Sequence, residues 1–171
     1  MTTVTLQPIT SDNMLACTGL RPSAEQQERG YVAENVFSLA QAYVEPWWTP
    51  LAVYVDETMV GFVMYGRWPE RGLSEMWGSK PKPGIDYILR MMVDSRYQGQ
   101  GYGKAALAAL VERIKAQGGC RAIELDYDRI NVAAARLYTG CGFQPVEENE
   151  DGEILARLEV GRQSTQSSGS A

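Results

Sequence analysis

The sequence predicts an α/β (α+β) fold in which helices cover both faces of a mixed sheet. Two apolar runs at 51–55 and 59–65 are separated by a short polar joint, which predicts an antiparallel hairpin. Downstream, strand-length apolar runs alternate with segments of helical periodicity, a pattern typical of strand–helix–strand–helix units. A length of 171 residues favours one domain. We assign it to residues 1–160 and expect the polar, low-complexity tail at 161–171 to be disordered.

The N-terminal elements are predicted from local patterns. A short strand is expected at 4–7, followed by a helix capped by Ser11 or Asp12. Helical periodicity runs from 23 to 43 and is interrupted by a glycine. Prolines at both ends of 46–50 predict a loop before the hairpin.

The remaining elements continue the alternation to the end of the domain. The helix after the central strand keeps its apolar side chains on one face, and paired glycines end it. The expected order is a loop at 67–84, a strand at 87–93, a helix at 103–117, a strand at 122–127, a helix from Asn131 to about 139, and a hairpin formed by 143–147 and 154–160.

Composition excludes several classes of protein. The formal net charge is −5, which argues against a general nucleic-acid-binding protein and agrees with a small cationic substrate, although acidity also serves solubility alone. The sequence has no histidine, which excludes Ser-His-Asp and Cys-His mechanisms and histidine metal sites. Its three cysteines are widely spaced, so we expect neither a disulfide framework nor a metal centre.

The N-terminal sequence, MTTVTLQPIT, lacks the basic and apolar segments of a signal peptide. No apolar run reaches the ~18 residues that a membrane-spanning helix requires. We therefore expect a cytoplasmic protein with no membrane partner.

The stretch RYQGQGYGK, residues 96–104, places three alternating glycines between a predicted strand and a predicted helix. Such a corner presents backbone N–H groups to one point, and the helix N-terminus adds partial positive charge, so it suits a phosphate or pyrophosphate. The P-loop pattern fails because Gly99 to Lys104 is one residue short and Ala105 follows it. The dinucleotide pattern fails because the spacing is G-x-G-x-G and lies late in the chain. A glycine-rich turn without a ligand is the structural alternative.

Two motifs in order resemble the GCN5-related N-acetyltransferase (GNAT) superfamily. The first is Q-x-x-G-x-G at Gln98, Gly101 and Gly103. The second is NVAAARLYTGCGF, which contains the pattern N-x-x-A-x-x-L-Y-x-x-x-G-F from Asn131 to Phe143. The resemblance implies a GNAT-type, mostly antiparallel sheet of six or seven strands with a splayed central parallel pair.

The resemblance also implies a site for acetyl-CoA, the cosubstrate, in the splay. The expected coenzyme-binding residues are Met91, Met92, Val93, Gln98, Gly99, Gln100, Gly101, Tyr102, Gly103, Lys104, Asn131 and Ala134. Tyr138 would be the catalytic general acid that protonates the leaving thiolate. Its alternative role is a core aromatic, since Ala134, Leu137, Tyr138 and Cys141 share one helical face.

The attacking amine must be neutral, and several polyamine-acetylating relatives carry a glutamate nine residues before the motif glutamine. That position is Leu89 here, so the resemblance leaves the base open. Asp128 and Glu34 are candidates, and Tyr87, expected on the same strand face as Leu89 and Met91, is a candidate for holding a water. Trp47 completes the expected substrate-binding set, because an aromatic face beside carboxylates suits a cation; it also suits a core plug.

The stretch SLAQAYVEPWWTPLAVYVDETMVGFVMYG, with the glycine corner, is similar to bacterial diamine and spermidine/spermine N-acetyltransferases. It implies acetyl transfer from acetyl-CoA to a primary amine of a polyamine by direct attack on the thioester, without a metal. The alternatives are another acceptor, namely an aminoglycoside, an amino acid or a protein N-terminus, or a non-catalytic CoA-binding domain. The resemblance leaves a homodimer open.

Overall fold

The computed structural model describes residues 3–67 and 82–161. These residues form a seven-stranded sheet in the order β1-β2-β3-β4-β5-β7-β6. All neighbouring strands are antiparallel except β4 and β5, which run parallel. The predicted mixed, mostly antiparallel sheet with a central parallel pair is therefore confirmed. Nearly all of the expected tail, 162–171, and most of the expected loop, 68–81, lie outside the described residues.

The strands follow the predicted order, with some boundaries shifted. They are β1 (Val4–Pro8), β2 (Trp48–Val55), β3 (Thr58–Arg67), β4 (Ile85–Val93), β5 (Ala122–Asp128), β6 (Gln144–Glu148) and β7 (Glu153–Glu159). The expected loop at 46–50 is wrong for its second half, because β2 already begins at Trp48. Pro50 is tolerated in β2 because β1 ends opposite Leu51, so Pro50 pairs only with β3. A proline at this position therefore costs no hydrogen bond to β1.

The helices are α1 (Met14–Gly19), α2 (Ala24–Glu28), α3 (Asn35–Val44), α4 (Tyr102–Ala116) and α5 (Val132–Gly140), with a 3-10 turn at Ser95–Tyr97. The expected cap of α1 is wrong, since the residue at its start is Asn13. Asn13 Oδ1 accepts from the backbone N–H of Thr10, so its side chain closes the preceding turn instead of capping α1. Among the described residues, no helix is long and apolar enough to cross a membrane.

Helices cover both faces of the sheet, as predicted. One core packs α4, through Leu107, Leu110 and Ile114, against β2, β3 and β5. The other core packs α1 and α3 against the opposite face, around Phe62 and Met64. Each face thus has its own apolar layer, and the sheet separates them.

The parallel pair diverges soon after it forms. Three residue pairs join β4 to β5, and the last of them is Tyr87 with Glu124. Both strands continue past that point, β4 to Val93 and β5 to Asp128, without pairing. The carboxyl half of β4 therefore turns one edge of backbone toward an open gap, which is the predicted splay.

A bulge within β4 changes which side chains share a face. The register with β3 shifts between Arg90 and Ile88, leaving Leu89 as an extra residue. As a result Tyr87 and Leu89 pack with the α1–α3 core, whereas Met91 packs with the α4 core. The prediction that all three share a face is wrong for Met91, because the bulge resets the alternation.

Candidate active site

A cavity of about 620 Å³ fills the gap where β4 and β5 diverge. Its walls come from the end of β4, the glycine corner, the end of β5, α5, and the segment that joins α2 to α3. The volume lies within the range of small-molecule sites. We call this cavity the cleft.

The glycine corner needs glycine for its backbone conformation. Gly99 and Gly101 have φ angles of 75° and 82°, in the left-handed region that other residues rarely adopt, and a Cβ on either would meet nothing within 4 Å. Gly101 caps α4, and the first helical bond runs from Ala105 N–H to its carbonyl. The N–H groups of 102–104 therefore precede the first complete turn, and these are the donors that helix N-termini offer to anions.

Side chains hold this corner against the rest of the domain. Asp94 is 2% exposed and accepts from the backbone N–H groups of Arg21 and Arg96 and from the Arg96 guanidinium. These contacts, with the Arg96 side-chain hydrogen bond largest, lower the pKa of Asp94 to about 2. Gln98 Nε2 donates to the carbonyl of Val93 and to Gln26 Oε1, both at 2.9 Å.

The cleft brings together most of the predicted coenzyme-binding residues. Its lining includes Met91, Met92, Val93, Gln98, Gly99, Gly101, Tyr102, Gly103, Asn131 and Ala134. Gln100 and Lys104 belong to the same corner but do not line the cleft. Asn131 caps α5 through a 3.1 Å bond from Ala134 N–H to its Oδ1, which leaves its NH₂ group outside that bond.

Tyr138 lies on the α5 wall of the cleft. Its ring packs 5.6 Å from the ring of Tyr127 and 6.1 Å from that of Phe143, measured between centroids. Burial, followed by the nearby Tyr127, raises the pKa of Tyr138 to about 12. The phenol is therefore protonated at neutral pH, and its ring belongs to the core as well as to the wall of the cleft.

Four carboxylates also line the cleft. Asp126 and Asp128 come from β5, Asp151 from the turn before β7, and Glu153 from β7 itself. We call these four the acidic rim. The described residues contain no cluster of acidic or cysteine side chains able to hold a metal ion.

Three members of the acidic rim were not among the predicted site residues, which included only Asp128. Alternation along β5 was the available signal, because Glu124, Asp126 and Asp128 share one strand face. Asp151 and Glu153 reach the cleft through the pairing of β7 with β5, in which Glu153 opposes Asp128. That antiparallel contact joins distant parts of the sequence and leaves no local motif.

Tyr87 is buried and its hydroxyl donates to the carboxylate of Asp126 across the gap. Its ring also lies 6.4 Å from that of Trp48. Desolvation and the negative charge of Asp126 raise the pKa of Tyr87 well above its usual value. The expected site residue is therefore linked to the cleft through Asp126 and does not line it directly.

Two predicted acceptor-site residues lie elsewhere. Glu34 borders a neighbouring cavity of about 210 Å³ that shares Pro22, Val32 and Met92 with the cleft. Trp47 is half-buried, packs against the α1–α3 core, and lines neither cavity. Its placement matches the core-plug alternative.

Comparison with known proteins gives a consistent result. The sequence profile described as "Acetyltransferase (GNAT) family" matches residues 16–143. The chain is 32% identical, over 141 residues, to "Spermine/spermidine N(1)-acetyltransferase" of Bacillus subtilis (strain 168), covering 82% of this chain and 88% of that protein.

Solved structures extend the likeness to the fold. Aminoglycoside acetyltransferase AAC(6')-Ib in complex with coenzyme A aligns with a TM-score of 0.74 at 18% identity, covering 92% of this chain and 95% of that one. PaiA N-acetyltransferase from Thermoplasma acidophilum, in complex with coenzyme A, aligns with a TM-score of 0.65 at 14% identity, covering 92% and 99%.

Proposed function

The chain belongs to the GNAT family of N-acetyltransferases, and from this premise we propose that it acetylates a primary amine of a polyamine with acetyl-CoA. The observation that carries the proposal is the arrangement of the cleft. Backbone N–H donors of the glycine corner, the Tyr138 phenol and the four carboxylates of the acidic rim all border this one cavity. These three kinds of group match the anionic coenzyme, its thioester and a cationic acceptor.

The coenzyme would lie along the unpaired edge of β4. The glycine corner supports binding of the pyrophosphate, since glycine lets the phosphate oxygens approach the backbone closely. The stretch Met91–Val93 would pair with the pantetheine arm through backbone groups that face the gap, apart from the Val93 carbonyl that Gln98 already contacts, and Asn131 would donate to the pantetheine amides. A backbone N–H aimed at the thioester oxygen would polarise the carbonyl.

The reaction would be a direct displacement. The neutral amine nitrogen attacks the thioester carbonyl carbon, the C–N bond forms, and the C–S bond breaks. Tyr138 would give its proton to the departing sulfur. This help is modest, because a thiol of pKa ~8.5 already leaves well.

A polyamine is supported by two independent observations. The acidic rim provides four carboxylates that line the cleft, which suits an extended molecule with several ammonium groups. The relative from Bacillus subtilis is named for spermine and spermidine. Arg29 is the only basic residue among the cleft-lining side chains described, and it pairs with Glu25.

An aminoglycoside is the second candidate, because it is also a polycation that would suit the acidic rim and because a structural neighbour is an aminoglycoside acetyltransferase. A non-catalytic CoA-binding domain is less well supported, since such a domain has no use for a phenol in the cleft.

Thiol release from acetyl-CoA, measured with spermidine, spermine, putrescine, kanamycin and a peptide N-terminus, tests the proposal. We expect the highest kcat/KM with a polyamine. Turnover with kanamycin or the peptide alone would contradict the polyamine assignment. Tight CoA binding without any amine-dependent turnover would contradict catalysis itself.

A further inference from the structure

The bond between Tyr87 and Asp126 lies where the sheet opens. Tyr87 belongs to the last pair that joins β4 to β5, opposite Glu124. Asp126 is two residues further along β5, so its side chain points to the same face as that of Glu124. The Tyr87 hydroxyl reaches across the beginning of the gap to the Asp126 carboxylate, which borders the cleft.

Asp126 and Tyr138 approach the cleft from opposite faces of the sheet. Leu125 and Tyr127, which flank Asp126, pack in the α4 core together with Tyr138. Strand alternation places Asp126 on the other face, where Tyr87 packs with the α1–α3 core. A group inserted in the gap thus has a phenol on one side and a carboxylate on the other.

We propose that Asp126 is the catalytic group that accepts a proton from the acceptor ammonium, and that Tyr87 is the positioning residue that orients this carboxylate. The inference rests on the proposed acetyl transfer. The ammonium gives one proton to Asp126, which passes it to solvent, and the nitrogen lone pair then attacks the carbonyl carbon. The nitrogen loses a second proton as the amide forms, Tyr138 protonates the sulfur and is itself reprotonated, and one proton is released per turnover.

A proton acceptor is needed because a free alkyl ammonium of pKa ~10.4 is neutral in only about one molecule in 10³ at pH 7.4. Asp126 is better placed than the candidates chosen from the sequence. Asp128 Oδ1 accepts from the backbone N–H of Ile130 and so helps to close the turn after β5. Glu34 borders the neighbouring cavity.

The surroundings of Asp126 also suit a base. Asp126 is exposed to solvent on the cleft side, yet partial desolvation raises its pKa, and this outweighs the lowering effect of the Tyr87 hydrogen bond. The charges that face it are Lys82 before β4, Glu124 on its own strand and Glu153 on β7; the lysine lowers its pKa and the two glutamates raise it. A carboxylate with a raised pKa is a stronger proton acceptor than an ordinary aspartate.

The test compares Asp126→Asn and Tyr87→Phe with the wild-type enzyme and with Glu147→Gln, which removes an exposed carboxylate on β6 away from the cleft. For Asp126→Asn we expect kcat/KM for spermidine to fall by about 10²-fold or more at pH 7. The loss should shrink about tenfold per pH unit as pH rises toward the pKa of the amine, because the variant depends on amine that is already neutral. Glu147→Gln should match the wild type.

Tyr87→Phe keeps the ring and removes the hydrogen bond that lowers the pKa of Asp126. The acid limb of the wild-type kcat profile should therefore move to higher pH in this variant, and kcat should fall less than in Asp126→Asn. A merely structural link between the strands would lower the thermal midpoint without moving this limb. If Asp126→Asn does not fold, the position of the acid limb in the kcat–pH profile of Tyr87→Phe is by itself the test of the proposal.

An Asp126→Asn enzyme whose pH profile superimposes on that of the wild type would overturn the proposal, as would an unmoved limb in Tyr87→Phe. These outcomes differ from failure of the proposed function, in which the wild-type enzyme itself shows no amine-dependent thiol release.

Discussion

Gln98 donates a 2.9 Å hydrogen bond to Gln26, which joins the glycine corner to α2 across 72 positions of sequence. Gln26 Oε1 also accepts from the backbone N–H of Ser23 at the start of α2. The wall of the cleft opposite α5 is therefore anchored to the corner that we propose holds the pyrophosphate. Gln98 therefore lines the cleft and also holds two of its walls together.

Removing this link should weaken coenzyme binding. We expect Gln26→Ala to raise KM for acetyl-CoA by about two- to tenfold, because one net hydrogen bond is worth roughly 0.5–1.5 kcal/mol. Steady-state kinetics at saturating amine measures this, with exposed Glu28→Ala on the same helix as the control. Equal KM values in the two variants would show that the link does not support the coenzyme site.

The left-handed glycines allow a matched test of the phosphate cradle. Gly101 and Gly118 have φ angles of 82° and 73°, and a Cβ at either meets nothing within 4 Å. Replacing either by Ala should therefore cost a similar ~1 kcal/mol of unfolding free energy. We expect only Gly101→Ala to raise KM for acetyl-CoA, by about tenfold, because only that glycine lines the cleft.

Urea unfolding measures the stability of both glycine variants, and kinetics measures their KM. A rise in KM of the same size in Gly118→Ala would indicate a general loss of structure. An unchanged KM in Gly101→Ala would contradict the cradle.

Tyr138→Phe should lower kcat by more than about tenfold with little change in coenzyme affinity, the pattern of an interaction made only in the transition state. Because the pKa of Tyr138 is about 12, the wild-type rate should show no loss of this proton donor as pH rises through 9. Tyr43→Phe, at a residue 89% exposed on α3, is the control. Full activity in Tyr138→Phe would leave the phenol with its packing role alone.

The acidic rim should recognise charge. Glu153→Gln is expected to raise KM for spermidine about two- to fivefold, since a partly exposed ion pair is worth up to ~1 kcal/mol. KM for a monoamine should rise less in this variant. Added salt should reduce the difference in KM for spermidine between Glu153→Gln and the wild type, because salt screens the charges. Glu147→Gln provides the control, and equal effects on spermidine and the monoamine would remove Glu153 from the acceptor site.

Asp94 should make stability depend on acid. Its pKa is about 2 in the folded protein and near 3.8 unfolded, so the stabilisation is complete above pH ~4 and is lost as pH falls toward 2. We expect Asp94→Asn to lose roughly 2 kcal/mol at pH 7 and progressively less below pH 4. Urea unfolding at a series of pH values measures this, with exposed Asp12→Asn as the control; a constant difference would exclude the linkage.

Local patterns predicted the glycine corner and the order of the strands along the chain, because both depend on residues that are close in sequence. Local patterns failed where the conformation of a residue depends on pairing with a strand that is distant in sequence. The bulge at Leu89 arises from the register with β3, and the strand conformation of Pro50 depends on where β1 ends. Asp126 was not among the predicted residues, because the hydrogen bond that joins it to Tyr87 spans 39 positions of sequence.

The splay also bears on the mechanical behaviour of the sheet. Three residue pairs hold β1–β4 to the β5–β7–β6 half, and past Tyr87 nothing in the sheet continues the ladder. A ligand that forms backbone hydrogen bonds with both β4 and β5 in the gap would link the two halves of the sheet. Ligand binding should therefore slow amide exchange in β4 and make the two halves unfold as one unit.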